Sequence, residues 1–140
     1  MATVSLLSDQ DASPEAQAVF ADIRTVRGTD TINAFWRALA HNPAQLKRVW
    51  EDVKRIMGPE GPLDPVTKEM IYIAVSTANG CGYCVHSHTA SARAKGMSDD
   101  QHAQLLDVIA MASQTNALAT ALQVPTDPAF YATSESDSTS

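Results

Sequence analysis

Asn79-Gly80-Cys81-Gly82-Tyr83-Cys84-Val85-His86-Ser87-His88 gathers both cysteines and two of the four histidines of a 140-residue chain into ten positions. Thiols and imidazoles this close can do redox, nucleophilic or metal chemistry. Asn79-Gly80 ends one helical pattern and precedes another, so Cys81 falls in the first turn of the second helix. Unpaired backbone N–H groups and the positive end of the helix dipole favour a thiolate there. A free thiol titrates near ~8.5, and helix N-termini and Cys-x-x-Cys spacing both lower that value. His88 follows Cys84 by four residues, about 40° around a helix and one turn along it. A base then lies beside a thiol, as an activated nucleophile requires.

The preceding helix supplies a carboxylate. Asp64-Pro65 starts a helix, as cap and first-turn proline, that runs to about Thr77 with Glu69, Ile73 and Ser76 along one side. If the two helices form an antiparallel hairpin around Ala78-Asn79-Gly80, Glu69 reaches the later part of the cysteine helix. Carboxylate, imidazole and thiol then share a pocket, with Glu69 holding and polarising His88 or a water that takes the proton from Cys84.

Upstream, Ser13-Pro14-Glu15 opens a helix through about Val26, with Ala16, Val19, Phe20, Ile23 and Val26 as its apolar stripe. A short helix over 32–40 carries Phe35, Trp36 and Leu39, aromatics whose spacing suits a core or an oligomer interface. The next runs from Pro43 to Met57, with Leu46, Val49, Trp50, Val53 and Ile56 at core spacing. The cysteine helix extends from Cys81 to Ala94, where Ala90 and Ala94 allow a neighbour to approach, and closes at Lys95-Gly96. Ser98-Asp99-Asp100 caps an alanine- and leucine-rich segment to about Leu122, read as one long helix or two with a kink near Asp107. Residues 133–140, all Ser, Thr, Asp and Glu, form an acidic tail that has nothing to bury and is expected to be disordered. The expected architecture is all-α: one domain over 1–132 with six to seven helices. Val4 to Leu7 is the sole weak strand candidate.

A hydrophobic fraction of 44% with only 6% aromatic residues and abundant alanine suits close-packed helices. The net charge of −6 and the absence of Lys or Arg after Lys95 argue against nucleic acid or an anionic membrane as partner. No apolar run approaches the ~20 residues a membrane helix needs, and the N-terminus carries no signal-peptide pattern. The expected location is the cytoplasm, where two cysteines at this spacing are redox-active or metal-bound rather than a stabilising framework. Zinc would need two further ligands, and His86 and His88, two positions apart, face different sides of a helix. His41 and His102 read as structural or exposed.

Glu69, Ser76, Asn79-Gly80-Cys81-Gly82-Tyr83-Cys84, His88, Gly96 and the Asp107-Val108-Ile109-Ala110 segment together resemble the carboxymuconolactone decarboxylase-like superfamily, and within it the alkylhydroperoxidase AhpD-like branch. The resemblance covers about residues 35–123. It implies an all-α fold with the Cys-x-x-Cys at a helix start, trimeric or hexameric assembly, and reduction of organic hydroperoxides by a dithiol cycle without a cofactor or metal. Cys84 would then be the peroxidatic thiol, Cys81 the resolving one, and His88 with Glu69 the relay. An external dithiol, protein-borne or lipoyl-type, would reset the pair. The founding peroxidase of the branch has a histidine directly before the second cysteine, where this chain has Tyr83. A neutral phenol, with a pKa of ~10, is a poor base, so Tyr83 stands with Ser76 and Asn79 as a supporting residue. Two other expectations remain open: a carboxymuconolactone decarboxylase-type lyase, which would not need the dithiol, and a non-catalytic, redox-responsive helical oligomer.

Overall fold

Capping residues set where several of the helices begin. Ser13 accepts the Ala16 N–H and starts α1 (Pro14–Arg27), which ends at Gly28 in the left-handed region. Asn42 accepts the Gln45 N–H and starts α3 (Pro43–Met57). Ser98 and Gln101 form a reciprocal capping box at α6 (Asp99–Ala121). Between these lie α2 (Ala34–Leu39), α4 (Pro65–Ala78) and α5 (Gly82–Ala94). The computed structural model describes residues 1–132; among them there is no strand, and one 3-10 turn, Pro128–Phe130, follows α6. The expected tail at 133–140 lies outside the described residues.

The chain resolves into two units, Met1–Pro65 and a second beginning at Val66. In the first, Ala16, Val19, Phe20 and Ile23 of α1 meet Trp36 of α2 and Leu46 and Trp50 of α3 in one buried cluster. The Trp36 and Trp50 rings sit edge to face, 5.6 Å apart, and Trp50 Nε1 donates to Asp22 at 2.7 Å. The indole thus buries its rings while its polar atom stays satisfied. Arg37 ties the N-terminal arm down through the Leu7 carbonyl and the Asp9 carboxylate. Val26 and Ile56, expected in the core, are each 52% exposed; both lie in the last turn of a helix, beyond the packed stretch. Ile32, expected as the first helical residue, is buried from the extended segment before α2. Phe35 keeps an edge contact with Trp36 but is largely exposed.

In the second unit α4, α5 and α6 share a smaller core of Ile73, Ala92 and Met97, with Val66, Met70, Leu105 and Ile109 packed on it. The close approach expected at Ala90 and Ala94 occurs at Ala92, while those two are exposed. The segment after Ser98 is one helix of 23 residues, without a break at Asp107 and without a fully buried side chain.

Two turns fix the ends of α5. After α4, the Gly80 N–H bonds the Thr77 carbonyl and the Cys81 N–H bonds the Ser76 carbonyl, the double bond of a Schellman motif. Gly80 holds φ at +69°. After α5 the pattern repeats: Gly96, at φ +107°, bonds Arg93, and Met97 bonds Ala92. That second turn drives Met97 into the core beside Ala92. A Cβ at Gly80 would meet nothing within 4 Å, so a side chain there is opposed by backbone strain alone. Gly80→Ala is expected to lower unfolding stability by about 1 kcal/mol in urea denaturation, with Gly80→Asn costing less. An unchanged midpoint for Gly80→Ala would show that the turn does not constrain the cysteine helix.

Candidate active site

Cys81 is the N-cap of α5, one residue before its first turn rather than within it as expected, and its sulfur takes the role usually given to a capping oxygen. Cys81 Sγ accepts the Cys84 backbone N–H at 3.4 Å. Both thiols are free and half-buried. Cys81 is held below the usual thiol range because the Cys84 thiol and the Cys84 backbone N–H both donate to its sulfur, with a smaller opposing effect of burial. Cys84 goes the other way. Burial pushes it up, its hydrogen bond to Cys81 and the charge there add to the effect, and the Ser76 hydroxyl only partly offsets them, so it rises to about 11. The helix start thus places the first negative charge on Cys81 and keeps the proton on Cys84. An anionic Cys84 at rest, expected from its neighbouring imidazole, is not what this electrostatic balance favours.

Glu69 is 3% exposed, in the second turn of α4. Its Oε2 lies 2.6 Å from His88 Nδ1. Its Oε1 accepts from Ser91 Oγ at 2.8 Å and from Lys95 Nζ at 2.6 Å. Burial alone would raise this carboxyl, but the bonds from His88, Lys95 and Ser91, with the Lys95 charge, hold it down at about 2. A carboxyl depressed on folding contributes stability that is fully present above its ordinary value near 4.5 and is lost as pH falls through about 2. The shift corresponds to roughly 3 kcal/mol.

An ionised carboxylate only accepts hydrogen bonds, so the hydrogen between Glu69 and His88 belongs to Nδ1. In the neutral imidazole this leaves the lone pair on Nε2. The Tyr72 ring stacks on the His88 ring, with centroids 3.7 Å apart and planes 20° from parallel. The imidazole is therefore held at Nδ1 and across one face. Cys84, His88, Ser91 and Lys95 recur every three or four residues of α5, so one stripe carries the thiol at its start and three groups that meet Glu69 further on.

Of the residues singled out from sequence, Glu69 and His88 are bonded to each other, and Cys81, Cys84 and Ser76 form a second linked group. Ser76 is 4% exposed and bonds the Cys84 thiol. Asn79 contributes its backbone, bonding the Val75 carbonyl just past α4. Tyr83 is 47% exposed at the start of α5. His86 is exposed, and among the described residues no three His, Cys, Asp or Glu side chains are grouped as metal ligands. His41 Nε2 bonds the Ser5 carbonyl and belongs to the arm of the first unit. Sequence reasoning missed Ser91, Lys95 and Tyr72. The first two lie at three- and seven-residue spacing from His88, and Lys95 was legible only as a helix-end cation.

The divided thiols make a measurable prediction. Under limiting iodoacetamide near neutral pH, Cys81 is expected to be alkylated before Cys84, as read by peptide mass spectrometry. In Cys84→Ala, which removes the thiol donor, Cys81 is expected to titrate at higher pH. Preferential alkylation of Cys84 would contradict the assignment of the first charge.

Residues 44–127 match the carboxymuconolactone decarboxylase family. The chain is similar to the alkyl hydroperoxide reductase AhpD of Solibacter usitatus (strain Ellin6076), at 33% identity over 126 residues, 89% of this chain and 69% of that protein. It is also similar to the crystal structure of the alkylhydroperoxidase AhpD core from Rhodospirillum rubrum ATCC 11170, with a TM-score of 0.90 and 61% identity over 93% of this chain and 97% of that one. Sequence and fold agree, and the chain belongs to the carboxymuconolactone decarboxylase-like superfamily, in its AhpD-like family.

Proposed function

We propose that the protein reduces an organic hydroperoxide through a Cys81–Cys84 dithiol cycle served by Glu69 and His88. The observation that carries this reading is the 2.6 Å bond between Glu69 Oε2 and His88 Nδ1, one helical turn from Cys84. Because burial keeps Cys84 protonated at rest, its sulfur reacts as a base-assisted thiol rather than as a standing thiolate. His88 Nε2 takes the thiol proton as sulfur attacks the terminal oxygen of the hydroperoxide. The O–O bond breaks, Cys84 becomes a sulfenic acid, and the departing alkoxide takes the proton back from His88 and leaves as an alcohol. The Cys81 thiolate then attacks the sulfenic sulfur. A disulfide forms, and the hydroxide released takes up a proton and leaves as water. An external dithiol, protein-borne or lipoyl-type, exchanges with the disulfide and is itself oxidised as both thiols return.

The same electrostatics suit the resolving and exchange steps. A sulfur more acidic than its neighbour carries more thiolate at neutral pH, and the more acidic thiol is also the better leaving group when a disulfide is opened. Both properties fall on Cys81. Assembly of several copies, with trimer or hexamer as the expected form, is supported by α6, which has no fully buried residue and exposes Leu106, Val108, Met111 and Leu118. Apolar side chains at this density on one helix are unusual for the free surface of a monomer. Among the described residues no helix is long and apolar enough to cross a membrane, and the proposed place of action is the reducing cytoplasm.

Stopped-flow mixing of the reduced protein with an alkyl hydroperoxide is expected to show oxidation about 100-fold or more faster than a free thiol, the usual scale of general-base assistance. Cys81→Ser is expected to give one stoichiometric oxidation that stops at a dimedone-reactive sulfenic acid on Cys84. Cys84→Ser should lose turnover with a dithiol donor. No acceleration over free thiol, or turnover surviving in Cys84→Ser, would end the peroxidase reading.

A further inference from the structure

We infer that Lys95, together with Ser91, is a positioning residue that fixes the hydrogen of His88 on Nδ1 by holding the opposite oxygen of Glu69. The inference rests on the peroxidase reading for its consequence in turnover, and on geometry alone for its consequence in the imidazole.

The two oxygens of Glu69 have different partners. Oε1 takes both Lys95 Nζ, at 2.6 Å, and Ser91 Oγ, at 2.8 Å; Oε2 takes His88 Nδ1 at 2.6 Å. Glu69 is 3% exposed, so its carboxylate has little water to turn towards. Two donors on one oxygen settle which way the carboxyl plane faces, and the other oxygen is presented to the imidazole. Lys95 reaches this position because it is the residue after the last turn of α5, with its backbone N–H bonded to the Ser91 and Ala92 carbonyls. The chain turns at Gly96 immediately afterwards and buries Met97, which anchors the backbone beneath the lysine. The Lys95 side chain is 34% exposed, so its stem runs inward to the carboxylate from the surface. Without it, a buried anion would be left with one hydroxyl donor, Ser91, and one imidazole, His88. It could then take a proton or turn, and either change frees Nδ1 and allows the hydrogen onto Nε2, the nitrogen that must accept the thiol proton.

Lys95→Met keeps the stem and removes the cation; Lys95→Arg keeps a cation; Ser91→Ala removes the second donor. The tautomer of His88 is read by 15N NMR of the ring nitrogens, and turnover by alkyl hydroperoxide reduction with a dithiol donor, after circular dichroism has shown that each variant is folded. The wild type is expected to show the hydrogen on Nδ1. Lys95→Met is expected to show mixed tautomers with kcat lowered about 10-fold and KM little changed. Lys95→Arg should restore most of both, and Ser91→Ala should show a smaller change of the same kind. A single Nδ1–H tautomer in folded Lys95→Met overturns the inference, whatever its turnover. So does a failure of Lys95→Arg to recover the tautomer. If the wild type reduces no hydroperoxide, the peroxidase reading fails while the ring nitrogens still decide the role of Lys95. Should Lys95→Met not fold, Ser91→Ala carries the test, and an unchanged tautomer and kcat there count against the inference.

Discussion

A carboxylate withdrawn from water is the constraint around which the second unit is arranged. Transferring an ionised carboxyl into a protein interior is strongly unfavourable unless donors replace the water it loses. Glu69 has three, two from α5 and one from Lys95 at its C-cap, and they meet both of its oxygens. That arrangement specifies the register between α4 and α5, because no shift of one helix along the other would keep His88, Ser91 and Lys95 on the same carboxyl. The turn at Asn79–Cys81 serves this register with its paired hydrogen bonds and left-handed glycine. The apolar contacts of Ile73, Ala92 and Met97 add to it.

The helix start places a second asymmetry on top of the first. Cys81 stands outside the first turn and receives two donors, while Cys84, one turn in, lies half-buried against Ser76 and gives its own hydrogen to Cys81. Two chemically identical groups thereby acquire different proton affinities from their places on one helix. A more acidic sulfur beside a less acidic one suits the dithiol cycle proposed above. The imidazole bonded to Glu69 stands one helical turn further along α5 from Cys84. The stacked Tyr72 ring and the Glu69 bond determine how that imidazole is presented.

Much of this was legible in the residues. Helix starts followed from Ser13-Pro14, Pro43 and Ser98 because caps and first-turn prolines act within a few residues of themselves. The pairing of Glu69 with His88 followed from a helical hairpin of fixed length. What escaped was set by tertiary packing or by long side chains. Val26 and Ile56 continue an apolar period into the last turn of their helices, where both side chains stay about half exposed. Ala92, rather than Ala90 or Ala94, became the contact because the turn at Gly96 brings Met97 back onto that face. Lys95 looks like any helix-end cation until its flexible stem is seen to fold back onto Glu69. The division of the thiols depends on burial at Cys84, which no local pattern reports.

The central claim is that Glu69 remains an anion inside the protein because α5 and its C-cap supply its donors. The direct measurement is 13C NMR of the Glu69 side-chain carboxyl, titrated from pH 7 downward in the folded, reduced protein. The account predicts a carboxylate signal that persists well below the ordinary glutamate range, with a midpoint near the value of about 2. A midpoint at or above about 4.5 would show that the donors do not outweigh burial, and it would contradict the account.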